Sequence, residues 1–288
     1  MRALADFDYL APASWAELWA IVKGRAGDVL YLVGGTDLLI DLRTGKKEAG
    51  LVIDLKKLPD MRGITVKNDR LWVGALTTIA EIENSPLVRK YAAVLAQSAG
   101  ELGSWQVRNR GTIGGNLCNG LPTADTSSPV LALGAKLHYR DFEGDKKVDA
   151  ADFWLGAGKT VLNNYQVLTS IEIPISEDTF SSYAKLGTRD AMEIAVISVA
   201  SVLRINNGII ADAGIAVGGG GPVPILARSA MAYLKNKQTG EIDFSEAGRL
   251  VTAATNPRTS ARASREYRLQ TFQVVVERSL AQLLRQAG

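Results

Sequence analysis

Two glycine-rich loops constrain this chain more than any other feature. The first, Val33-Gly34-Gly35-Thr36-Asp37, leaves the apolar run 29–33, which reads as a short buried strand. The second, Gly111-Thr112-Ile113-Gly114-Gly115-Asn116, sits in a stretch, 103–126, that reads as irregular and carries few charges after Arg110. Paired glycines let a backbone turn sharply and approach a ligand with no Cβ in the way. Successive amides can then form a donor nest for phosphate oxygens. Either loop alone could be a plain turn. Neither has the Gly-x-Gly-x-x-Gly spacing of a dinucleotide fold, and no Gly-Lys-Ser/Thr follows as in a triphosphate loop. Taken together they predict two walls of one diphosphate site. Asn119, Thr123, Asp125, Thr126 and Ser127, just beyond the second loop, suit a ribose or ribityl chain. Asp125 could accept from hydroxyl groups or cap a helix before Pro129. Amides and small polar side chains, rather than Lys or Arg, favour an elongated buried cofactor over a freely exchanging nucleotide.

Composition narrows the chemistry. Among 288 residues there is one cysteine, Cys118, and one histidine, His138. One thiol forms no internal disulfide and holds no iron–sulfur cluster, and one imidazole cannot make most catalytic metal sites. Redox chemistry here therefore needs an organic cofactor or a partner chain. The net charge of +3, from 33 basic and 30 acidic residues, gives no argument for nucleic acid. Arg258, Arg262, Arg265 and Arg268 cluster beside Glu266 and read as a solvated or salt-bridged helix face. No signal-peptide core opens the chain, and the longest apolar run, 194–203, is about half the ~20 residues of a membrane span. A cytoplasmic protein without a membrane span is expected.

Local patterns predict the elements. Ser14 and Glu17 form a capping box for a helix ending near Lys23, with Gly24 as its stop. Strands are expected at 51–55, 70–77, 136–140, 146–148, 167–175, 183–186, 194–205 and 209–217, the last two joined by Asn206-Asn207-Gly208, a hairpin signal. One continuous helix is expected over 86–102, a short one at 129–133, and others over 227–235, 245–255 and 264–286. Strands followed by helices indicate an α+β fold. Boundaries are expected near Lys56 and at 176–180.

The two loops resemble the paired pyrophosphate-binding motifs of the flavoprotein subunit of molybdenum hydroxylases. The resemblance extends through Gln106-Val107-Arg108-Asn109, Asp125, Leu168-Thr169-Ser170-Ile171-Glu172-Ile173-Pro174, Tyr183-Ala184-Lys185, Arg189-Asp190-Ala191-Met192-Glu193-Ile194 and Arg262-Ala263-Ser264-Arg265-Glu266-Tyr267-Arg268. Asn116-Leu117-Cys118-Asn119-Gly120 with Arg189-Asp190-Ala191-Met192 is most similar to the flavin subunit of bacterial xanthine dehydrogenases. The resemblance implies a two-part FAD-binding domain of the vanillyl-alcohol-oxidase (PCMH) type, over 1–55 and 56–176. A smaller α+β domain of the carbon monoxide dehydrogenase flavoprotein type would follow over 177–288. It implies that FAD is held by Leu32, Val33, Gly34, Gly35, Thr36 and Asp37 on one side and by Leu102, Thr112, Gly114, Gly115 and Asn116 on the other. Thr123, Ala124 and Asp125 would contact the ribityl and adenosine parts, with Leu168 and Lys185 beside the isoalloxazine ring. Lys185, otherwise a surface lysine, would there stabilise a reduced, anionic flavin. No cluster-binding cysteine insertion is present. His138, in a predicted strand away from both loops, reads as structural, so FAD would be non-covalent; Cys118 reads as packing. Expected partners are a [2Fe–2S] small subunit and a molybdopterin large subunit, with NAD⁺ or oxygen as acceptor and no catalytic residue in this chain. Alternatives are a flavin subunit serving carbon monoxide, aldehydes or N-heterocycles, a stand-alone flavin oxidoreductase, or a non-catalytic nucleotide-binding module.

Overall fold

The computed structural model describes residues 6–25, 29–189 and 191–287, so Met1–Ala5 and Asp190 of the Arg189–Glu193 motif lie outside the described residues. The chain opens with β1 (Asp8–Leu10), α1 (Trp15–Val22), β2 (Val29–Leu32), α2 (Leu38–Thr44) and β3 (Leu51–Asp54). These strands make a parallel sheet in the order β1-β3-β2. Ser14 caps α1 by accepting from the Glu17 amide, and the Glu17 carboxylate takes the Ala13 amide, one residue before the position a strict capping box uses. Gly24 then turns the chain at φ +82.

A second layer follows. It contains β4 (Ile64–Lys67), β5 (Arg70–Gly74), α3 (Ile79–Asn84), α4 (Pro86–Tyr91), α5 (Ala93–Glu101), α6 (Trp105–Arg108), α7 (Ile113–Cys118), α8 (Ser127–Ala132), β6 (Lys136–Asp141), β7 (Gly144–Asp149), β8 (Trp154–Gly156), β9 (Lys159–Thr160) and β10 (Val167–Pro174). An antiparallel sheet runs β4-β5-β10-β6-β7. Two sequence expectations need correction here. The helix expected over 86–102 is broken at Ala92 (φ −148, ψ 51). There Ser181, from a distant strand, accepts the Val94 amide at 3.1 Å and re-aims the second half. The stretch 103–126 is not irregular: it holds α6 and α7, each capped by a hydroxyl, Ser104 and Thr112.

The last part contains β11 (Thr179–Leu186), β12 (Ile197–Asn206), β13 (Ile209–Gly218), β14 (Ile225–Leu226), α9 (Arg228–Leu234), α10 (Phe244–Ala253) and α11 (Arg265–Ala287). Its strands form an antiparallel sheet in chain order. Asn207 (φ 50) and Gly208 (φ 76) close the β12–β13 turn as the sequence predicts. One face of this sheet packs on α11: Val199, Leu203 and Ile215 share a core with Phe272, Val276 and Leu280. The opposite face places Tyr183, Ala200 and Ala216 in the core of the preceding layers. Small residues permit that second contact. A Cβ on Gly214 would collide with the carbonyl oxygen of Ala132, at the end of α8.

Candidate functional site

The two glycine loops meet. The position a Cβ would take on Gly34 is filled by the carbonyl of Arg110, and Val33 Cγ2 lies 3.0 Å from the corresponding position on Gly115. Together they wall one cleft of about 830 Å³, toward the upper end of the roughly 300–1,000 Å³ typical of cofactor sites.

The loops are not equivalent. In the first, between β2 and α2, the amides of Gly34, Gly35 and Thr36 donate to no acceptor among the described residues. With Gly35 at φ +78 they form an open donor nest, the arrangement that binds phosphate oxygens. In the second loop the amides are already used. Ile113 donates to Thr77 O, Gly114 to Ala75 O at 2.9 Å and Gly115 to Thr112 Oγ1 at 3.1 Å. The expectation that both loops offer free amides is therefore corrected. The second loop supplies a smooth wall, the Thr112 hydroxyl and Asn116, whose Oδ1 accepts from Thr126 at 2.6 Å. Gly34 and Gly114 are small because protein backbone occupies their Cβ positions, not because a ligand does; a Cβ on Gly114 would lie 2.7 Å from Ala75 O. Asn119 Nδ2 donates to Asp37 Oδ2 at 3.2 Å and ties the loops together.

Of the expected site residues, Val33, Gly34, Gly35, Thr36, Asp37, Thr112, Gly114, Gly115 and Asn116 line the cleft, as do Leu102, Thr123, Ala124, Asp125 and Leu168. Leu32 does not; it packs with Leu42 and Val52 beneath the first loop. Nor does Lys185. Its side chain, 7% exposed, pairs with Asp125 Oδ1 at 2.9 Å and donates to Glu101 O at 2.9 Å, and it lines a second cavity of about 620 Å³ beside Trp105 and Arg108. It is neither a surface lysine nor part of the cleft wall. Asp125 is not the helix cap, a position held by Thr126. Its carboxylate accepts from Tyr183 Oη at 3.0 Å, and burial, only partly offset by Lys185, raises its pKa. Burial and the Asp125 charge likewise push Tyr183 well up.

Other residues reach the cleft without having been singled out as ligand contacts. Tyr31, Lys47 and Asn164 close one part, and Thr188, Arg189, Met192, Glu193, Ile194 and Arg262 come from the last domain. The resemblance already runs through most of the latter, and that was their only signal. Cys118, expected to be packed, lines the cleft as an exposed residue, yet the protein around its thiol pushes that group's pKa up to about 12. His138 stays outside: Nε2 lies 2.7 Å from Glu172 Oε2 and its ring packs on Trp72. The arginine cluster is not a uniform solvated face, because Arg268 is buried.

Residues 5–176 match the family described as the FAD binding domain in molybdopterin dehydrogenase, and residues 182–283 match the CO dehydrogenase flavoprotein C-terminal domain. The chain is 31% identical over 260 residues to the putative xanthine dehydrogenase FAD-binding subunit XdhB of Escherichia coli K12, covering 89% of each chain. Among solved structures it is similar to a chain of carbon monoxide dehydrogenase from Hydrogenophaga pseudoflava (TM-score 0.93, 28% identity, 99% of this chain and 100% of that one). A chain of quinoline 2-oxidoreductase from Pseudomonas putida 86 is similar to the same degree (TM-score 0.92, 27% identity, 99% of each).

Proposed function

The chain belongs to the FAD-binding family of molybdopterin dehydrogenases, and we propose that within it this protein is the flavin subunit of a xanthine-dehydrogenase-like molybdenum hydroxylase. The family makes it an oxidoreductase subunit with an FAD-binding domain followed by a carbon monoxide dehydrogenase flavoprotein C-terminal domain. In the reading proposed here, it receives electrons from a [2Fe–2S] small subunit, itself reduced by a molybdopterin large subunit, and passes them to NAD⁺ or oxygen in the cytoplasm. Identity to a xanthine dehydrogenase subunit supports the purine-like substrate.

The observation that carries the cofactor assignment is the nest of three free amides at Gly34, Gly35 and Thr36, open to a cleft of cofactor size. Those donors fit a diphosphate. The Thr112 hydroxyl and the Asn116 amide group would flank it. Thr123, Ala124 and Asp125 would take the hydroxyl-bearing chain, and Leu102 and Leu168 would give the ring an apolar bed. FAD, when bound, supplies the exchange between single-electron and two-electron transfer. The protein holds the cofactor, excludes water with its apolar walls and sets the local charge. Lys185 would act on that charge through Asp125 rather than by touching the ring. His138 lies away from the cleft, which supports non-covalent binding.

Two measurements on the purified chain decide the reading: its flavin absorbance, including whether the flavin leaves the protein on denaturation, and the subunits that co-purify with it. Bound FAD together with an iron–sulfur and a molybdopterin subunit whose flavin is reduced by a purine is the expected result. A complex reduced only by carbon monoxide, an aldehyde or quinoline would move the substrate, and an isolated chain that turns over its own substrate would replace the reading.

A further inference from the structure

Arg268 occupies a costly place in the fold. It stands near the start of α11 and is 5% exposed. Among the described residues no carboxylate lies within ion-pair distance of it, and its Nε has no partner. A buried charge without a counter-ion is costly, so such groups are ordinarily paired. Burial, with the like charges of Arg262 and Arg258, lowers its pKa, as expected where the surroundings disfavour the charge. Replacing a buried charge by an apolar side chain of similar volume is often neutral or stabilising. Stability therefore does not account for this guanidinium, and its hydrogen bonds do.

Those bonds grip two segments at once. Nη1 donates to the carbonyl of Val196, and Nη2 donates to Ser260 Oγ at 2.8 Å. Val196 closes the loop between β11 and β12, its amide donating to Leu186 O at 2.8 Å. That loop brings Thr188, Met192 and Ile194 to the cleft. Inside it the Glu193 carboxylate accepts from the Thr188 hydroxyl at 2.9 Å and the Arg189 amide at 2.7 Å. The loop thus has its own shape and takes its position from its base, where Arg268 holds it. Ser260 belongs to the segment 256–264, between α10 and α11. Its Oγ also accepts the amide of Arg262 at 3.3 Å, and Arg262 lines the cleft. A third strand of chain meets the same point. A Cβ on Gly219 (φ +76) would lie 2.5 Å from Val196 O and 3.3 Å from Arg268 Nη1, so the guanidinium sits in space that this glycine leaves. The Gly219 amide donates to Pro122 O at 2.8 Å, next to Thr123 of the cleft wall.

We propose that Arg268 is a positioning residue of the cleft: by holding the Val196 carbonyl and the Ser260 hydroxyl together, it sets the β11–β12 loop and the segment 256–264 in the registration in which both wall the cleft. Arg268 lines no part of the cleft itself and acts through the residues it grips. The planar guanidinium suits the task, because its donors point in fixed, divergent directions and can reach two acceptors on separate segments. A lysine ammonium is a single point on a flexible stem and sets no such angle. That the cleft holds FAD rests on the function proposed above; the grip on the two segments does not.

The test compares the full chain with Arg268→Met, Arg268→Lys and Ser260→Ala in three measurements: FAD titration of the flavin-free protein, visible circular dichroism of the bound flavin, and hydrogen exchange without flavin. Arg268→Met should weaken FAD on the order of tenfold or more and change the flavin dichroism at equal saturation. Exchange should quicken at the amides of Val196, Gly219 and Asn256, each bonded at the base of a gripped segment. It should stay unchanged at Ile210, bonded to Lys237 O at the far end of the sheet, and the thermal midpoint should stay near that of the parent. Arg268→Lys should not restore FAD affinity. Ser260→Ala, which releases one segment only, should give a smaller loss of the same kind and add nothing to Arg268→Met when the two are combined. It also carries the test should Arg268→Met not fold. Unchanged FAD affinity and exchange in these variants overturns the proposal. So does full restoration by lysine, which would make the charge and not the fork the cause, or faster exchange at Ile210 with a lowered midpoint, which would make Arg268 a support of the fold at large. A parent chain that binds no FAD removes the flavin reading, and the exchange measurement then decides the role of Arg268 alone.

Discussion

At the scale of single residues, the glycines divide into two kinds. Gly34 and Gly114 are held small by protein backbone, so any side chain there disrupts the fold. Gly115 is different: its neighbours are the side chains of Val33 and Thr112. Gly115→Val should therefore push the two walls apart, eliminating flavin absorbance from the purified protein while costing only about 1–3 kcal/mol of stability in urea titrations. Gly240→Ala, with no atom within 4 Å, is the control; it should keep its flavin and stay within about 0.5 kcal/mol of the parent. Asp125 gives the pH dependence, with Lys185 as its counter-ion. The carboxyl of Asp125 titrates above its ordinary value, so folding takes up a proton there. The stability linked to that proton is complete below the unfolded-chain pKa and is lost as pH rises through the folded one. Lys185 restrains this loss by pairing with the ionised form. Lys185→Met leaves a buried carboxylate unpaired and should cost roughly 3–5 kcal/mol at neutral pH, less in acid. Adding Asp125→Asn should flatten the pH profile measured by denaturation, and a profile that keeps its slope would exclude Asp125 as its source.

At the scale of elements, Ser181 shows how a strand edits a distant helix. Its hydroxyl accepts the Val94 amide where α5 begins and where α4 has turned away at Ala92. Ser181→Ala strands a buried donor and should lower stability by about 1–3 kcal/mol, read as a fall in thermal midpoint. This also marks the limit of sequence legibility. Several local signals were sound, among them Ser14 before α1, Asn207-Gly208 in its hairpin and the apolar run before Gly34, but the equally local hydroxyl caps Ser104 and Thr112 were not read. The break at Ala92 was illegible because its cause lies on β11, far along the chain. The strand β4 was missed for a related reason. It is an exposed edge, and only the turn at Asn68 and Asp69, both at φ 53, pairs it with β5. In the site, side chains next to the glycine motifs were legible as a set, but direction was not. Lys185 and Asp125 were both singled out, yet their pairing, which turns the lysine toward the second cavity, depends on how β11 packs against α5.

At the scale of the molecule, the cleft is completed by the last domain, which contributes Arg189, Met192, Ile194 and Arg262 to its rim. Flavin retention should therefore depend on a seam remote from the glycine loops. That seam is the face of β12 and β13 toward α8, built from residues too small to keep backbones apart. Ser128 and Ser198 lie 3.3 Å apart across it, and Gly214 meets the Ala132 carbonyl with no room for a Cβ. Since neither partner at Gly214 is the end of a flexible side chain, relief must come from moving the sheet off α8. Gly214→Val should thus loosen flavin binding although the residue touches no part of the cleft. As at Gly34 and Gly114 the obstacle is backbone, so the cost exceeds the roughly 1–3 kcal/mol of ordinary core overpacking; it falls on the seam between the sheet and α8, so each half can keep its own core. The expected signature is a protein whose circular dichroism is near that of the parent, whose flavin is lost on gel filtration, and whose chain is cut by protease near residues 175–178, between β10 and β11. A variant that keeps its flavin through gel filtration and resists protease there would show that the cofactor is held by the first two layers alone.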